Sequence, residues 1–190
     1  DFVESLIILA AGLITAFILR KLLIPGLLRL TRVNQNGLKS RLLNSIKSPL
    51  TLGILVFAGY LAIVIPLGLS PGQQNSINHT AGLLGLILGV ISVASLTSTV
   101  FNWYMEIIAP RTSSTLDEQL MPLIRRIVVG AIYALGGLLI LDQLNINISP
   151  LIAGLGLGGL AVALAIQPTL ANLFAGTYVL TEGVIKPGDY

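Results

Sequence analysis

This 190-residue chain offers eight carboxylates, one imidazole and no thiol to metal or carboxylate acid–base chemistry. Asp1, Glu4, Glu106, Asp117, Glu118, Asp142, Glu182 and Asp189 show no paired or metal-ligand spacing within one apolar run. Glu106 and Asp142 stand near the ends of such runs, where snorkelling to an interface is the plain reading. The single His79 excludes His-cluster metal sites, and the absence of Cys excludes disulfides, thiolate metal sites and Cys nucleophiles. No catalytic residue, metal ligand or cofactor is expected, and the chain does not read as an enzyme. Gly154-Leu-Gly-Leu-Gly-Gly159 matches the G-x-G-x-x-G pattern. A dinucleotide site needs a strand before that pattern, a helix opening at it and an acid about 20 residues on. Here the pattern lies inside an apolar run preceded by another such run.

The chemistry that remains is that of an apolar surface meeting water. Ala153 to Ala165 reads Ala-Gly-Leu-Gly-Leu-Gly-Gly-Leu-Ala-Val-Ala-Leu-Ala, mostly small residues. In lipid, helices associate by close van der Waals approach, and Gly154 with Gly158 and Gly159 with Ala163 form small-xxx-small pairs that allow it. One face of this segment is therefore built for tight helix packing. Leu157, Leu160 and Leu164 fall on a single helical stripe that Gln167 continues. If several copies ring an axis, Leu160 and Leu164 make apolar collars that close a pore by dewetting. An ordinary packed interior helix is the other reading of the same pattern.

The elements that must position these residues are membrane helices. Hydrophobic residues make up 54% of the chain, charged ones 10%, and mean hydropathy is +0.90. An average soluble domain is about 25% charged, so the bulk of this chain is solvated by lipid. The net charge of +3 then records topology, with no nucleic-acid partner implied. Five apolar runs emerge and predict an all-α membrane protein of five transmembrane helices. They are Phe2 to Leu19, Leu50 to Leu69 with Ser48-Pro49 as its start, Ala81 to about Tyr104, about Leu123 to Leu144, and Pro150 to about Gln167-Pro168. A bend is predicted at Gln167-Pro168, where proline stops the straight helix. Thr169 to Tyr178 then reads as a short interfacial helix, with Gly176 a second break. Tyr178-Val-Leu-Thr reads as a strand start and Lys186-Pro-Gly-Asp189 as a turn. The chain opens on Asp1 without Met, as expected of a processed or cut product.

All 11 basic residues fall on one side of this five-span arrangement. Seven lie between the first two spans (Arg20, Lys21, Arg29, Arg32, Lys39, Arg41, Lys47), three between the third and fourth (Arg111, Arg125, Arg126), and Lys186 follows the last. The positive-inside rule places the N-terminus outside and the C-terminus in the cytoplasm, in the cell (inner) membrane or an organelle inner membrane. The loop from Thr31 to Ser48 is predicted to hug anionic headgroups, at about 1 kcal/mol per basic residue.

Residues 156–176, Gly-Leu-Gly-Gly-Leu-Ala-Val-Ala-Leu-Ala-Ile-Gln-Pro-Thr-Leu-Ala-Asn-Leu-Phe-Ala-Gly, followed by Lys186-Pro-Gly-Asp-Tyr190, resemble the pore helix of small-conductance mechanosensitive (MscS-like) channels. The resemblance covers about the last 45 residues, and the last three spans fit the family core in number and orientation. It implies a tension-gated ion channel subunit for osmotic regulation, acting in a homo-oligomer, a ring of seven identical subunits among membrane lipids. By that resemblance Leu160 and Leu164 are the gate. Gly154, Gly156, Gly158, Gly159, Ala161, Ala163 and Ala165 are the packing surfaces of the pore-lining helix. Gln167, Asn172 and Gly176 match the junction and its second flexible point, with Pro168 a departure where family members often carry Gly or Asp. Residues 1–80 would be a sensor-like pair of extra helices with a basic loop, and 81–149 a two-helix paddle. Residues 150–178 would be the pore and interfacial helices, and 179–190 the start of a cytoplasmic β-domain whose remainder is absent. A secondary transporter, which needs buried polar groups at midplane, and a non-conducting scaffold are the competing classes.

Overall fold

The computed structural model describes residues 2–18, 37–66, 68–109 and 115–182. They form five helices, α1 (Phe2–Ile18), α2 (Leu38–Val64), α3 (Pro71–Ile107), α4 (Thr115–Gln143) and α5 (Ser149–Glu182), with no strand among the described residues. The chain is an all-α membrane protein. Leu38–Val64, Pro71–Ile107, Leu120–Gln143 and Ser149–Val179 are each long and apolar enough to cross a bilayer, whereas Val3–Ile18 of α1 is apolar but shorter. Two compact units divide the chain, Asp1–Ile146 and Asn147–Tyr190.

In the first unit α1 packs on α2, α2 on α3 and α3 on α4. Among the described residues its buried ones are all small: Ala16, Ser40, Thr51, Ala58, Ala62, Ala94, Ala109 and Gly136. A Cβ on Gly12 would collide with that of Ala58, and one on Gly136 with the Val90 side chain. At these points α1 meets α2, and α3 meets α4, nearly backbone to backbone. The bulky residues point the other way, Phe57 and Ile127 among them at 61% and 63% exposed. Lipid tails solvate such side chains as well as a protein core does, so close approach of small residues supplies the helix–helix attraction. Small-residue packing, expected from sequence only in the last span, brings α1 against α2 and α3 against α4.

Helix boundaries correct the sequence reading in both directions. α3 starts at Pro71, ten residues before the expected Ala81. The Ser70 N–H and hydroxyl both donate to Gln73 Oε1, at 3.1 and 2.9 Å, and Pro71 occupies the first turn, where its missing N–H costs nothing. The polar run Gln73 to Asn78, read as loop, is thus the opening of a 37-residue helix about 55 Å long. That exceeds a hydrocarbon core of about 30 Å, so polar residues at its start reach water while remaining helical. α2 likewise begins at Leu38, with Pro49 inside it and not at its start. The Thr51 hydroxyl donates to the Lys47 and Ser48 carbonyls at 2.9 and 2.8 Å, turning that polar side chain back onto its own helix. Lys39, Arg41 and Lys47 therefore belong to a helix and not to a loop. Arg20, Lys21, Arg29, Arg32, Arg111 and Lys186 lie outside the described residues. α4 begins at Thr115, earlier than the expected Leu123, and contains Pro122.

Candidate pore helix

The second unit is essentially α5, and its entry is set by residues 141–150. Asn145 takes the left-handed conformation at φ 59°. Ile146 N–H donates to the Leu141 carbonyl at 3.0 Å and Asn145 N–H to that of Asp142 at 2.8 Å. These two bonds are a Schellman stop closed by Asn instead of Gly. Asn147 Oδ1 then accepts from the Ser149 N–H at 3.1 Å, turning the chain into the next helix. Pro150 follows in the first turn, where a missing donor is tolerated.

α5 does not stop at Pro168. It runs as one helix of 34 residues to Glu182 with that proline inside it, so Thr169 to Tyr178 is its continuation and not a separate interfacial helix. Gly176 does not break it, and Tyr178 to Thr181 are helical and not the start of a strand. In an apolar setting an interrupted backbone exposes several donors and acceptors, whereas one proline inside a helix removes a single N–H. The lower part is also internally satisfied. Thr177 donates to the Leu173 and Phe174 carbonyls, each at 2.9 Å, and Thr181 to the Thr177 carbonyl at 2.7 Å. The turn expected over Lys186 to Asp189 lies outside the described residues.

Every described side chain of α5 is exposed. Leu157, Leu160 and Leu164 are 70%, 56% and 60% exposed, and a Cβ placed on Gly154, Gly156, Gly158, Gly159 or Gly176 would meet nothing within 4 Å. At about 3.6 residues per turn, four stripes follow one another around the helix roughly a quarter turn apart. Gly154, Gly158, Ala161 and Ala165 form the first, which Asn172 and Gly176 continue below the proline. Leu155, Val162, Ile166 and Leu173 form the second, and Gly156, Gly159 and Ala163 the third. Leu157, Leu160, Leu164 and Gln167 form the fourth. Sequence reasoning found one small-residue face; the helix has two, on opposite sides, separated by two bulky faces. A helix with two opposed flat sides can be flanked on both by copies of itself, leaving one bulky stripe inward and one outward. Leu160 and Leu164 lie one turn apart on the same stripe, about 6 Å along the axis, with the Gln167 amide below them.

Three polar contacts run along the antiparallel α2/α3 pair. Arg41 Nη1 is 2.6 Å from Glu106 Oε2, the Ser45 and Thr99 hydroxyls are in contact, and Tyr60 OH donates to Asn78 Oδ1 at 2.8 Å. Sequence reading left Arg41 in a loop and Glu106 alone at a helix end. No local signal joins residues so distant in the chain.

Residues 127–167, from the middle of α4 to the middle of α5, match the family model described as mechanosensitive ion channel, transmembrane helices 2/3. The large-conductance mechanosensitive channel MscMJLR of Methanocaldococcus jannaschii is 30% identical over 150 residues, 78% of this chain and 41% of the relative. The small-conductance mechanosensitive channel MscMJ of the same organism is 34% identical over 91 residues, 48% of this chain and 26% of the relative. An uncharacterized MscS family protein of Aquifex aeolicus is 25% identical over 189 residues, 97% of this chain and 50% of the relative. The chain spans half or less of the length of each of these relatives. No solved structure matches it significantly.

Proposed function

Given that this chain is MscS-like, we propose that it is the membrane part of a pore-forming subunit that opens under membrane tension and releases ions and small osmolytes. The observation that carries this reading is α5, an apolar helix exposed along its length whose two small-residue faces stand opposite each other. Copies of α5, seven by the family resemblance, stand side by side around an axis with these faces in contact. The Leu160 and Leu164 stripe points inward. Water confined in a ring of leucines loses hydrogen bonds that the walls cannot replace, so the narrow column empties and ions cannot pass without their hydration shells. Tension favours the state of larger area and shifts the balance between closed and open without acting on the gate directly. Tilting of the outer helices parts the pore helices, and the two leucine rings widen until water enters.

The same reading assigns the remaining parts. α1 and α2 are the sensor-like pair, α3 and α4 the paddle, and Gln167, Pro168, Asn172 and Gly176 the place where α5 yields on gating. The basic residues put the Arg41 and Glu106 end of the α2/α3 pair at the cytoplasmic face of a cell inner membrane and the Tyr60 and Asn78 end outside. Patch-clamp recording under suction, on full-length protein reconstituted in lipid vesicles, tests the proposal. Stepwise currents that rise with suction are expected; a bilayer silent at all tensions up to rupture rejects a channel.

A further inference from the structure

The α2/α3 seam has an uneven distribution of grip. From Gly53 to Tyr60 of α2 the seam opens into an apolar groove, lined by Gly53, Val56 and Phe57 on α2 and by Ala81, Gly82 and Gly85 on α3. A Cβ on Gly53 or Gly85 would meet nothing within 4 Å, so few side chains interlock across this stretch. Directional contacts sit toward the ends. At one end the Arg41 guanidinium, on the first turn of α2, meets the Glu106 carboxylate, on the last turn of α3, at 2.6 Å. One turn further along α2, Ser45 touches Thr99. The Thr99 hydroxyl already donates to the Ser95 carbonyl at 2.8 Å, so Ser45 is the donor between the two hydroxyls.

Glu106 is the only carboxylate in α3, which contains no Lys or Arg, so the pair is specified by the single charge that α3 brings to its end. The Arg41 side chain is 28% exposed and that of Glu106 is 59% exposed. In the topology proposed above this end lies at the boundary between lipid and water, where a pair is screened less than on an open surface but its members can still be rehydrated once parted.

We infer that Arg41 and Glu106, with Ser45 and Thr99 beside them, form a latch that holds the start of α2 against the end of α3 when the channel is closed. The latch sets how much tension opening requires, and in that respect it rests on the function proposed above. Rotation or tilt of α2 against α3 separates charges at the end of the pair, where the displacement is largest.

The test uses full-length protein in liposomes carrying Arg41→Gln, Glu106→Gln or the exchange Arg41→Glu with Glu106→Arg. Each single change should raise the open-to-closed ratio at fixed tension by roughly two- to five-fold, the worth of a partly exposed ion pair, with single-channel conductance unchanged. The exchange should return the ratio toward its original value. A second measurement needs no current. The 190 residues contain no Cys, so with any other thiol replaced, Ser45→Cys with Thr99→Cys reports by its rate of disulfide formation whether the helix ends stay together. Glu106→Gln should slow that rate several-fold and the exchange should restore it. Unaltered opening in the single variants of a conducting channel overturns the latch, as does an exchange that fails to rescue. If the protein carries no current, the function proposed above falls, and the cross-linking rate alone decides whether Arg41 and Glu106 hold the helices. An unchanged rate in Glu106→Gln then overturns the latch too.

Discussion

Pro168 lies four residues beyond Leu164 in one continuous helix, so the Leu164 carbonyl lacks the backbone N–H that would close its helical turn. The weakest turn of α5 is therefore the one directly below the proposed gate. We predict that Pro168→Gly alters closing or inactivation more than conductance, because it restores a donor while loosening the backbone. Tension jumps with recorded closing times check this. Unchanged kinetics accompanied by altered conductance would move Pro168 from the hinge to the permeation path.

The apolar gate yields a prediction of direction. A polar side chain in a leucine ring gives confined water a partner, so Leu160→Asn and Leu164→Ser should each open at lower tension or leak at rest. Recordings at zero suction, followed by a tension ramp, measure both effects. If resting leak and threshold stay put in a channel that otherwise conducts, the constriction lies elsewhere.

Two glycines that resemble each other in sequence should fail in different ways. A Cβ on Gly136 collides with Val90, whereas one on Gly158 meets nothing within 4 Å. Gly136→Leu should destabilise the α3/α4 contact by about 1–3 kcal/mol, the usual cost of overpacking, seen as a lower melting temperature in detergent. Gly158→Leu should leave the subunit folded but impair assembly, read as a shift from oligomer to monomer on size-exclusion chromatography with light scattering. Normal oligomers from Gly158→Leu would show that this stripe packs against nothing.

Topology follows from the basic residues. A reporter at Gly72, in the first turn of α3, should be accessible from outside, and one within residues 31–47 only from the cytoplasm. Membrane-impermeant labelling of intact cells separates the two, and equal labelling would overturn the orientation.

Much of the architecture was legible because lipid demands long apolar runs, and charge interrupts them. The existence of all five helices followed from that demand, as did the character of α5. Boundaries were less legible. Polar residues such as Gln73 to Asn78 read as loop because composition was taken as a proxy for backbone state, yet a helix that leaves the bilayer keeps its hydrogen bonds in water. Pro49, Pro122 and Pro168 were each misread or passed over for the complementary reason: in lipid, continuing a helix past a proline costs less than exposing a whole turn. Arg41 with Glu106 and Gly12 with Ala58 were invisible, being pairings between distant segments that carry no periodic signature. In α5 the Leu160 and Leu164 stripe was plain, whereas its second small face emerged only when all positions were placed around one uninterrupted helix.

The small size of every buried residue described in the first unit has a mechanical meaning. Bulky interlocking side chains would make neighbouring helices behave like meshed gears, each able to move only by jumping a tooth. Ala58, Ala62, Ala94 and Gly136 instead give smooth rods, riveted toward the ends of the α2/α3 seam by Arg41 with Glu106 and by Tyr60 with Asn78. Such a stack shears easily along its length and resists only where it is riveted. A bilayer that thins or stretches can therefore lean these helices over by gradual sliding, with the work concentrated in a few polar contacts at the membrane surfaces.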